Sequence, residues 1–215
     1  MKKLHLLCNA HIDPVWLWRR NDGIATTLST FRGAADFCEK YDGFVFNHNE
    51  ALLYEWVEEY EPALFERIKK LVKCGKWKIM GGWYLQPDCA MTSGESLLSQ
   101  IDLGREYFLE KFGVKPTTAI NFDPFGHTRG LVQILVQKGY DAYLFMRPWK
   151  YKGDFLWEGF DGSQVLAHRL YRSYESHNCK TVEKIQGYFN DWGEKEIGLC
   201  LWGIGNHGGG PSKAD

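Results

Sequence analysis

The chain has 215 residues, and its 26 Lys and Arg residues nearly balance its 27 Asp and Glu residues, which gives a formal net charge of −1. Hydrophobic residues make up 44% and charged residues 25%, ordinary values for a globular protein that exclude a disordered or low-complexity chain. This charge provides no basic surface of the kind that binds nucleic acid or an anionic membrane. The length predicts one domain with its own core.

The sequence also indicates the cellular compartment in which the protein is expected. The first apolar run begins at Leu4 without the basic segment and long apolar stretch of a secretory signal, and no run approaches the ~18 apolar residues of a membrane span. Six scattered cysteines form no Cys-x-x-Cys pair, which favours buried or reduced thiols over a disulfide framework. We therefore expect a cytoplasmic protein.

Short apolar runs alternate with helical stretches along the chain. The predicted strands are Leu4–Cys8, Gly43–Phe46, Trp77–Met80, Thr117–Phe122, Ala142–Met146, Gln164–Leu170 and Ile197–Ile204. The predicted helices are Glu50–Tyr60, Ala63–Cys74, Leu97–Phe112 and Gly130–Lys138. Repeated alternation of a buried strand and a helix predicts an α/β fold with a parallel sheet, either a barrel or doubly wound.

Polar side chains follow most of the predicted strands. In chain order they are His11 and Asp13, then His48, Asn49 and Glu50, then Trp83 and Asp88, then Asp123, then Arg147, and finally Asn206 and His207. Ligands of parallel α/β folds bind at the carboxyl ends of the strands, so these side chains predict a shared polar mouth.

His11 and Asp13 form the sharpest motif. If they extend the first strand, its two-residue repeat places both side chains on one face, where they can supply two ligands to a zinc ion. The alternative is a hydrogen-bonded His–Asp pair that closes a loop.

Asp123 is the second candidate. Pro124 follows it and restricts the backbone, and Gly126 then allows the chain to turn. The carboxylate is therefore expected to have a fixed position, which a nucleophile or a metal ligand needs. The alternative is a helix N-cap with Pro124 in the first turn. His127 is expected to orient this loop and not to bind metal.

The Gly81-Gly82 pair is followed by Trp83 and Asp88, an aromatic ring and a carboxylate that would suit a sugar pocket. The alternative is a tight turn with Trp83 packed on a helix. The Gly-rich segment 203–211 lacks the Lys-Ser/Thr ending and the spacing of a phosphate loop, which excludes a nucleotide site.

With these motifs in view, the chain resembles the N-terminal catalytic region of the glycoside hydrolase family 38 α-mannosidases, in a bacterial or cytosolic branch. Four ordered motifs carry the resemblance: His11-Ile12-Asp13-Pro14-Val15-Trp16, Gly81-Gly82-Trp83 with Pro87-Asp88, Asp123-Pro124-Phe125-Gly126-His127, and Gly205-Asn206-His207-Gly208-Gly209-Gly210-Pro211. The resemblance implies a seven-stranded (β/α) barrel, one zinc ion and retaining hydrolysis of terminal α-linked mannose.

The resemblance also implies roles for individual residues. His11 and Asp13 would be zinc ligands, and Asp123 would be both a zinc ligand and the nucleophile. The substrate-binding residues would be Trp16, Trp83, Asp88, Phe125 and Arg147. His207 is a candidate acid/base, and the fourth zinc ligand is expected to be a His beyond Asp215.

This assignment agrees with the chemistry of mannose, whose cis O2 and O3 hydroxyls can chelate one metal ion. Retention requires a carboxylate nucleophile and a general acid about 5–5.5 Å apart. We expect residues 1–215 to be a barrel domain cut before its end, and the isolated chain to bind zinc weakly and to turn over α-mannosides poorly. Its expected partners are mannose-containing oligosaccharides and the further C-terminal domains of the same polypeptide, and the sequence also allows a homo-oligomer.

Two other functions stay open. A zinc-dependent polysaccharide deacetylase uses similar His and Asp residues at strand ends, although this chain has no His-x-x-x-His pair. A non-catalytic carbohydrate-binding domain would use the Trp-rich mouth alone and would keep its sugar after zinc removal.

Overall fold

A computed structural model of the chain describes residues 2–148, 153–193, 195–204 and 210–215. Its strands are β1 (Lys3–Asn9), β2 (Phe46–Glu50), β3 (Trp77–Trp83), β4 (Thr118–Asn121), β5 (Ala142–Phe145), β6 (Gly153–Glu158), β7 (Gln164–Arg169) and β8 (Ile197–Trp202). Its helices are α1 (Arg20–Lys40), α2 (Ala51–Tyr60), α3 (Pro62–Lys73), α4 (Gly94–Phe112), α5 (Gly130–Gln137) and α6 (Thr181–Trp192).

The strands pair into two four-stranded sheets, in the orders β3-β2-β1-β8 and β4-β5-β7-β6. The strand β1 is parallel to β2 and β8, and β5 is parallel to β4 and β7, which confirms the predicted parallel α/β fold. The strand β6 was not predicted, and it runs antiparallel to β7. Within the described residues no closed barrel is seen, so the expected seven-stranded barrel is not observed.

The second strand lies further along the chain than predicted. The prediction of Gly43–Phe46 was wrong because the true strand, β2, contains polar residues that carry no hydrophobic signal. All five residues of β2 are nevertheless buried. Asn47 is accommodated there because its Oδ1 accepts a hydrogen bond of 2.8 Å from the buried Asn9 side chain on β1.

The chain divides into two compact units. The first comprises residues 1–48, 53–78 and 171–215. Its core is largely aromatic: the ring of Trp77 packs against Phe31 and Phe46, with centroid distances of 5.2 and 4.6 Å, and its Nε1 donates to the Tyr54 hydroxyl at 2.8 Å. This packing holds α1 and α2 against the strands that lead to His11 and His48.

The second unit comprises residues 49–52 and 79–170. Helix α4 begins where Ser93 Oγ accepts a hydrogen bond from the Ser96 N–H, and it ends at Gly113, whose φ of 68° is the left-handed conformation that glycine favours. The predicted end at Phe112 is confirmed, whereas the helix begins at Gly94, three residues before the predicted Leu97. Core residues from α4, α5 and the sheet pack together beneath the loops that follow β3, β4 and β5.

Candidate active site

The side chains of His11 and Asp13 converge just beyond the end of β1. His11 Nε2 lies 3.3 Å from Asp13 Oδ1; the His11 side chain is 8% exposed and that of Asp13 is 39% exposed. The predicted convergence is therefore confirmed, although β1 ends at Asn9 and the two residues lie in the segment that follows it. A buried imidazole and an open carboxylate thus face the same point.

This spacing fits two ligands of one zinc ion. Two donors at 2.0–2.2 Å from a tetrahedral zinc ion are separated by about 3.3–3.6 Å. A second His–Asp pair on the sheet edge, His168 and Asp154, is instead in direct hydrogen-bond contact at 2.6 Å. No group of three or more His, Cys, Asp or Glu side chains that could hold a metal occurs in the described part of the chain. The 3.3 Å separation of His11 and Asp13 therefore fits two ligands of one metal ion, and it equally fits the alternative of a direct contact between the two side chains.

Two further residues lie beside His11: Tyr174, which the sequence did not indicate, and His48, which it placed at the polar mouth. The ring of Tyr174 meets the His11 imidazole edge-on, with a centroid distance of 5.0 Å and an interplanar angle of 62°. His48 lies fully buried in β2, where burial and, second, the nearby His11 lower its pKa to about 3. His48 is therefore neutral at physiological pH. Tyr174 lies far from His11 in sequence, so only the fold reveals their contact.

Asp123 follows β4 and is bound by Arg147, which follows β5. Arg147 Nε donates to Asp123 Oδ1 at 2.8 Å, and Arg147 Nη2 lies 2.6 Å from the same oxygen. The alternative N-cap role of Asp123 is wrong, because α5 begins only at Gly130 and its N-cap is Arg129. The carboxylate is instead held by a planar cation at the ends of two neighbouring parallel strands.

Phe125 presents an aromatic ring beside this ion pair. It is 80% exposed, and the Arg147 guanidinium carbon lies 4.6 Å from its ring centroid. The same arginine therefore fixes the Asp123 carboxylate and stacks on an exposed ring, which is a surface on which a sugar can pack.

The loop that carries Asp123 is fastened to the turn that carries Asp88. The Cys89 N–H donates to the Gly126 carbonyl at 3.2 Å, and Asp88 Oδ1 accepts a hydrogen bond from the Ala90 N–H. A Cβ at Gly126 would lie 2.3 Å from Ala90 Cβ and 2.9 Å from Asp88 Oδ1, so only glycine fits there. Asp88 is thus partly engaged in supporting the Asp123 loop.

His127 has the orienting role that was predicted for it. Its Nδ1 is 2.8 Å from the Tyr143 hydroxyl, and its ring contacts Phe145 edge-on at 5.1 Å. Burial is the largest influence on His127 and lowers its pKa, against the opposing effects of the Arg147 backbone and Asp88. A neutral imidazole in these contacts fixes the end of the Asp123 loop.

The two tryptophans predicted to bind substrate lie in different environments. Trp83 is fully buried in the core of the second unit, and its Nε1 donates to the Ile120 carbonyl at 2.9 Å. It offers no surface to a sugar, so the alternative, a packed tryptophan, describes it correctly. Trp16 is 63% exposed and contacts Trp18 edge-on at 5.4 Å, which leaves much of its surface accessible.

The acid/base candidate His207 and its neighbour Asn206 lie outside the described residues.

All six cysteines are free thiols, and Cys8, Cys38, Cys89 and Cys200 are buried, which confirms the prediction of no disulfide framework. Among the helices in the described ranges, none combines the length and the apolar character that crossing a membrane requires.

The chain combines a parallel α/β fold with a His–Asp pair after one strand and an arginine-bound carboxylate after another. The chain belongs to the family described as glycosyl hydrolases family 38 N-terminal domain, whose family model matches residues 1–214.

Individual relatives agree with this assignment. The chain is 30% identical to Alpha-mannosidase G of Dictyostelium discoideum over 215 residues, covering 95% of this chain and 20% of that protein. It is 29% identical to human (Homo sapiens) Alpha-mannosidase 2C1, covering 98% of this chain and 21% of that protein. The chain thus spans about a fifth of the length of these curated relatives.

The fold is also similar to a solved structure, the alpha-mannosidase from Enterococcus faecalis V583. The TM-score is 0.85 at 19% identity, and the match covers 98% of this chain and 26% of that one. At this level of identity the match supports the fold alone.

Proposed function

We propose that the protein carrying this chain hydrolyses terminal α-linked mannose with retention of configuration, with Asp123 as the nucleophile. The observation that carries the proposal is the Asp123–Arg147 pair, in which two arginine nitrogens contact one carboxylate oxygen at 2.8 and 2.6 Å. Membership of glycosyl hydrolase family 38 and similarity to proteins named as alpha-mannosidases support it.

A retaining glycosidase needs a carboxylate that attacks the anomeric carbon from a fixed position. The Arg147 fork holds Asp123 in one orientation, so little freedom is lost when the substrate binds. Phe125 stands beside the pair and supplies an aromatic surface for a sugar ring, with Trp16 as a second exposed ring. Asp123, Phe125 and Arg147 together would position the sugar over the nucleophile.

We further propose that the cofactor is one zinc ion, for which His11 and Asp13 supply two ligands. Asp123 and a histidine outside this sequence are the two further ligands that the family resemblance implies, although the described residues contain no preformed group of three. The 3.3 Å separation of the His11 and Asp13 donors supports the first two ligands. When bound, zinc would supply a Lewis acid that the cis O2 and O3 hydroxyls of mannose can chelate. This would favour mannose over glucose, whose O2 and O3 are not cis. The neighbouring Tyr174 would restrict the His11 ring to one orientation.

The proposal also covers the complete fold, the further domains and the compartment of the protein that carries this chain. We propose that its two sheets form part of a seven-stranded barrel and that further domains of the same polypeptide complete the enzyme, because the chain covers only 20–21% of its curated relatives. The six free thiols support a reducing compartment such as the cytoplasm.

The function is tested with the natural polypeptide that carries this sequence and a chromogenic α-mannoside. We expect turnover that a chelator abolishes and zinc restores, and a loss in kcat of at least about 1000-fold in Asp123→Asn. Asp42→Asn is the matched control, because Asp42 is fully exposed and its ion pair with Lys76 is long, at 3.6 Å. Activity on an acetylated glycan instead would identify a deacetylase, and chelator-resistant sugar binding without turnover would identify a binding module.

Zinc ligation is tested separately by titrating zinc into wild-type chain, His11→Ala and His168→Ala. The two histidines each face an aspartate, but only the His11 pair has the separation of two ligands on one ion. We expect His11→Ala to lose binding and His168→Ala to match the wild type. Equal loss in both variants would show nonspecific binding and would contradict the proposed ligand set.

A further inference from the structure

The segment that carries Tyr174 is fastened to helix α6 by a partly buried lysine. We define the Tyr174 loop as residues 171–176, between β7 and α6. Lys184, on α6, donates from Nζ to the Ser173 carbonyl at 2.7 Å and to the Glu175 carbonyl at 2.8 Å. These carbonyls belong to the residues on either side of Tyr174. The lysine thus holds the backbone of the loop at the two points that determine where the tyrosine ring lies.

A second cation fastens the same loop to the same helix. Arg172 donates from Nη2 to the Gly187 carbonyl at 2.9 Å, and its Nε lies 2.7 Å from Asp191 Oδ2. A Cβ at Gly187 would lie 2.8 Å from the guanidinium, so the absence of a side chain makes room for Arg172. A glycine within a helix is less favourable than alanine, which is consistent with a specific need for space at this position.

The far end of the Tyr174 loop is also held. The Ser176 N–H donates to the Gly203 carbonyl at 2.7 Å, and Ser176 forms a parallel bridge with Ile204 just after β8. The loop therefore has three anchors, and Tyr174 lies between them. Its ring meets His11 edge-on at 5.0 Å.

The partly buried position of Lys184 indicates that its ammonium group has a specific task. Burial is the largest influence on this group and lowers its pKa to about 8, with the Arg172 charge acting in the same direction and Glu175 and Cys200 opposing it. An apolar side chain would fill the same space without the cost of removing an ammonium group from water. What the lysine adds is the pair of hydrogen bonds to the Tyr174 loop.

We propose that Lys184 is a positioning residue for His11: by holding the carbonyls on both sides of Tyr174, it keeps the tyrosine ring against the imidazole and fixes the ring's orientation. This inference rests on the proposed role of His11 as a metal ligand. The orientation of a ligating imidazole is set by the groups around it, and a ring that can turn offers its nitrogen to the metal less often.

The inference is tested on the wild-type chain and three variants by NMR of the His11 ring, without metal and at one fixed pH. The variants are Lys184→Met, the conservative Lys184→Arg, and the control Lys180→Met, which removes an exposed lysine of the N-terminal end of α6 that pairs with Glu183. We expect Lys184→Met to move the His11 ring resonances, Lys184→Arg to restore them in part, and Lys180→Met to leave them unchanged.

A double variant decides whether Lys184 acts through the tyrosine. In a Tyr174→Leu background the ring is already absent, so adding Lys184→Met should move the His11 resonances no further.

In a zinc titration we expect Lys184→Met to bind up to about tenfold more weakly, since removing groups that directly support a ligand typically costs about 10–100-fold. Thermal unfolding of each variant shows whether the fold is retained, and Lys184→Gln, which keeps one donor, replaces Lys184→Met if that variant does not fold.

The outcomes separate this inference from the proposed function. Unchanged His11 resonances in folded Lys184→Met, or an equal further shift in the double variant, would overturn the positioning role. If the polypeptide that carries this chain binds no zinc but the His11 resonances respond as expected, the positioning of the ring is supported and the proposed metal site fails instead.

Discussion

Arg147 directs two nitrogens, Nε and Nη2, to the same oxygen of Asp123, at 2.8 and 2.6 Å. A guanidinium group is planar and its donors diverge in a fixed fork, so this contact fixes the direction from which the carboxylate is held as well as its distance. Lysine carries the same charge on a flexible stem and has no such fork. Replacing Arg147 by lysine therefore separates the effect of the positive charge from the effect of the fork geometry.

We predict that Arg147→Lys lowers kcat about 100-fold, because displacing a reacting group by about 1 Å costs on this order. The measurement is steady-state hydrolysis of a chromogenic α-mannoside by the polypeptide that carries this chain. Arg129→Lys is the control, since Arg129 is exposed and pairs with Glu158 on the surface. A kcat within twofold of wild type in Arg147→Lys would show that charge alone suffices.

Two helical glycines predict opposite changes in stability. A Cβ at Gly104 would lie 2.3 Å from the Trp83 carbonyl carbon and 2.4 Å from the Gly82 oxygen, both backbone atoms that cannot easily move. Gly104→Ala should therefore lower the free energy of unfolding by about 1–3 kcal/mol. Gly33→Ala should raise it by about 1 kcal/mol, because no described atom lies within 4 Å of that Cβ and alanine is the better helix former. Urea denaturation measures both, and stabilisation by Gly104→Ala would contradict the close packing of α4 on β3.

The stability of the chain should fall below pH 6.5 through His48. In the folded chain its pKa is about 3, below the ordinary value of 6.5, so between these values the unfolded state binds more protons. The contribution of neutral His48 to the free energy of unfolding is complete above pH 6.5 and is lost as the pH falls toward 3. Between pH 6.5 and pH 5 this loss amounts to about 2 kcal/mol. His48→Gln should flatten this slope in urea denaturation with chelator present. An unchanged slope in His48→Gln would mean that His48 does not titrate in this way.

The sequence predicted the parts of the fold that depend on apolar periodicity. The end of α4 at Phe112 was predicted, because the left-handed glycine that follows it is a local property of the chain. The strand β2 was placed too early because its polar residues are buried through partners on other strands, such as Asn9 for Asn47. Local pattern cannot reveal such partners.

The same distinction applies to the candidate site. Spacing brought His11 and Asp13 together correctly, because they are two positions apart and share one segment. It did not reveal that Trp83 is buried or that Tyr174 contacts His11, since both facts depend on packing between distant segments. Lys184 carries no sequence signal at all, because its role depends on two backbone carbonyls.

Gly126 and Phe125 are adjacent yet tolerate change very differently. Position 126 is closed to any larger residue by Ala90 and Asp88, while the ring at position 125 stands largely in solvent. Evolution or laboratory selection can therefore exchange the residue at 125 without moving the backbone that carries Asp123. Under the proposed function, preference among sugars could therefore change at position 125 while the backbone that carries Asp123 stays the same.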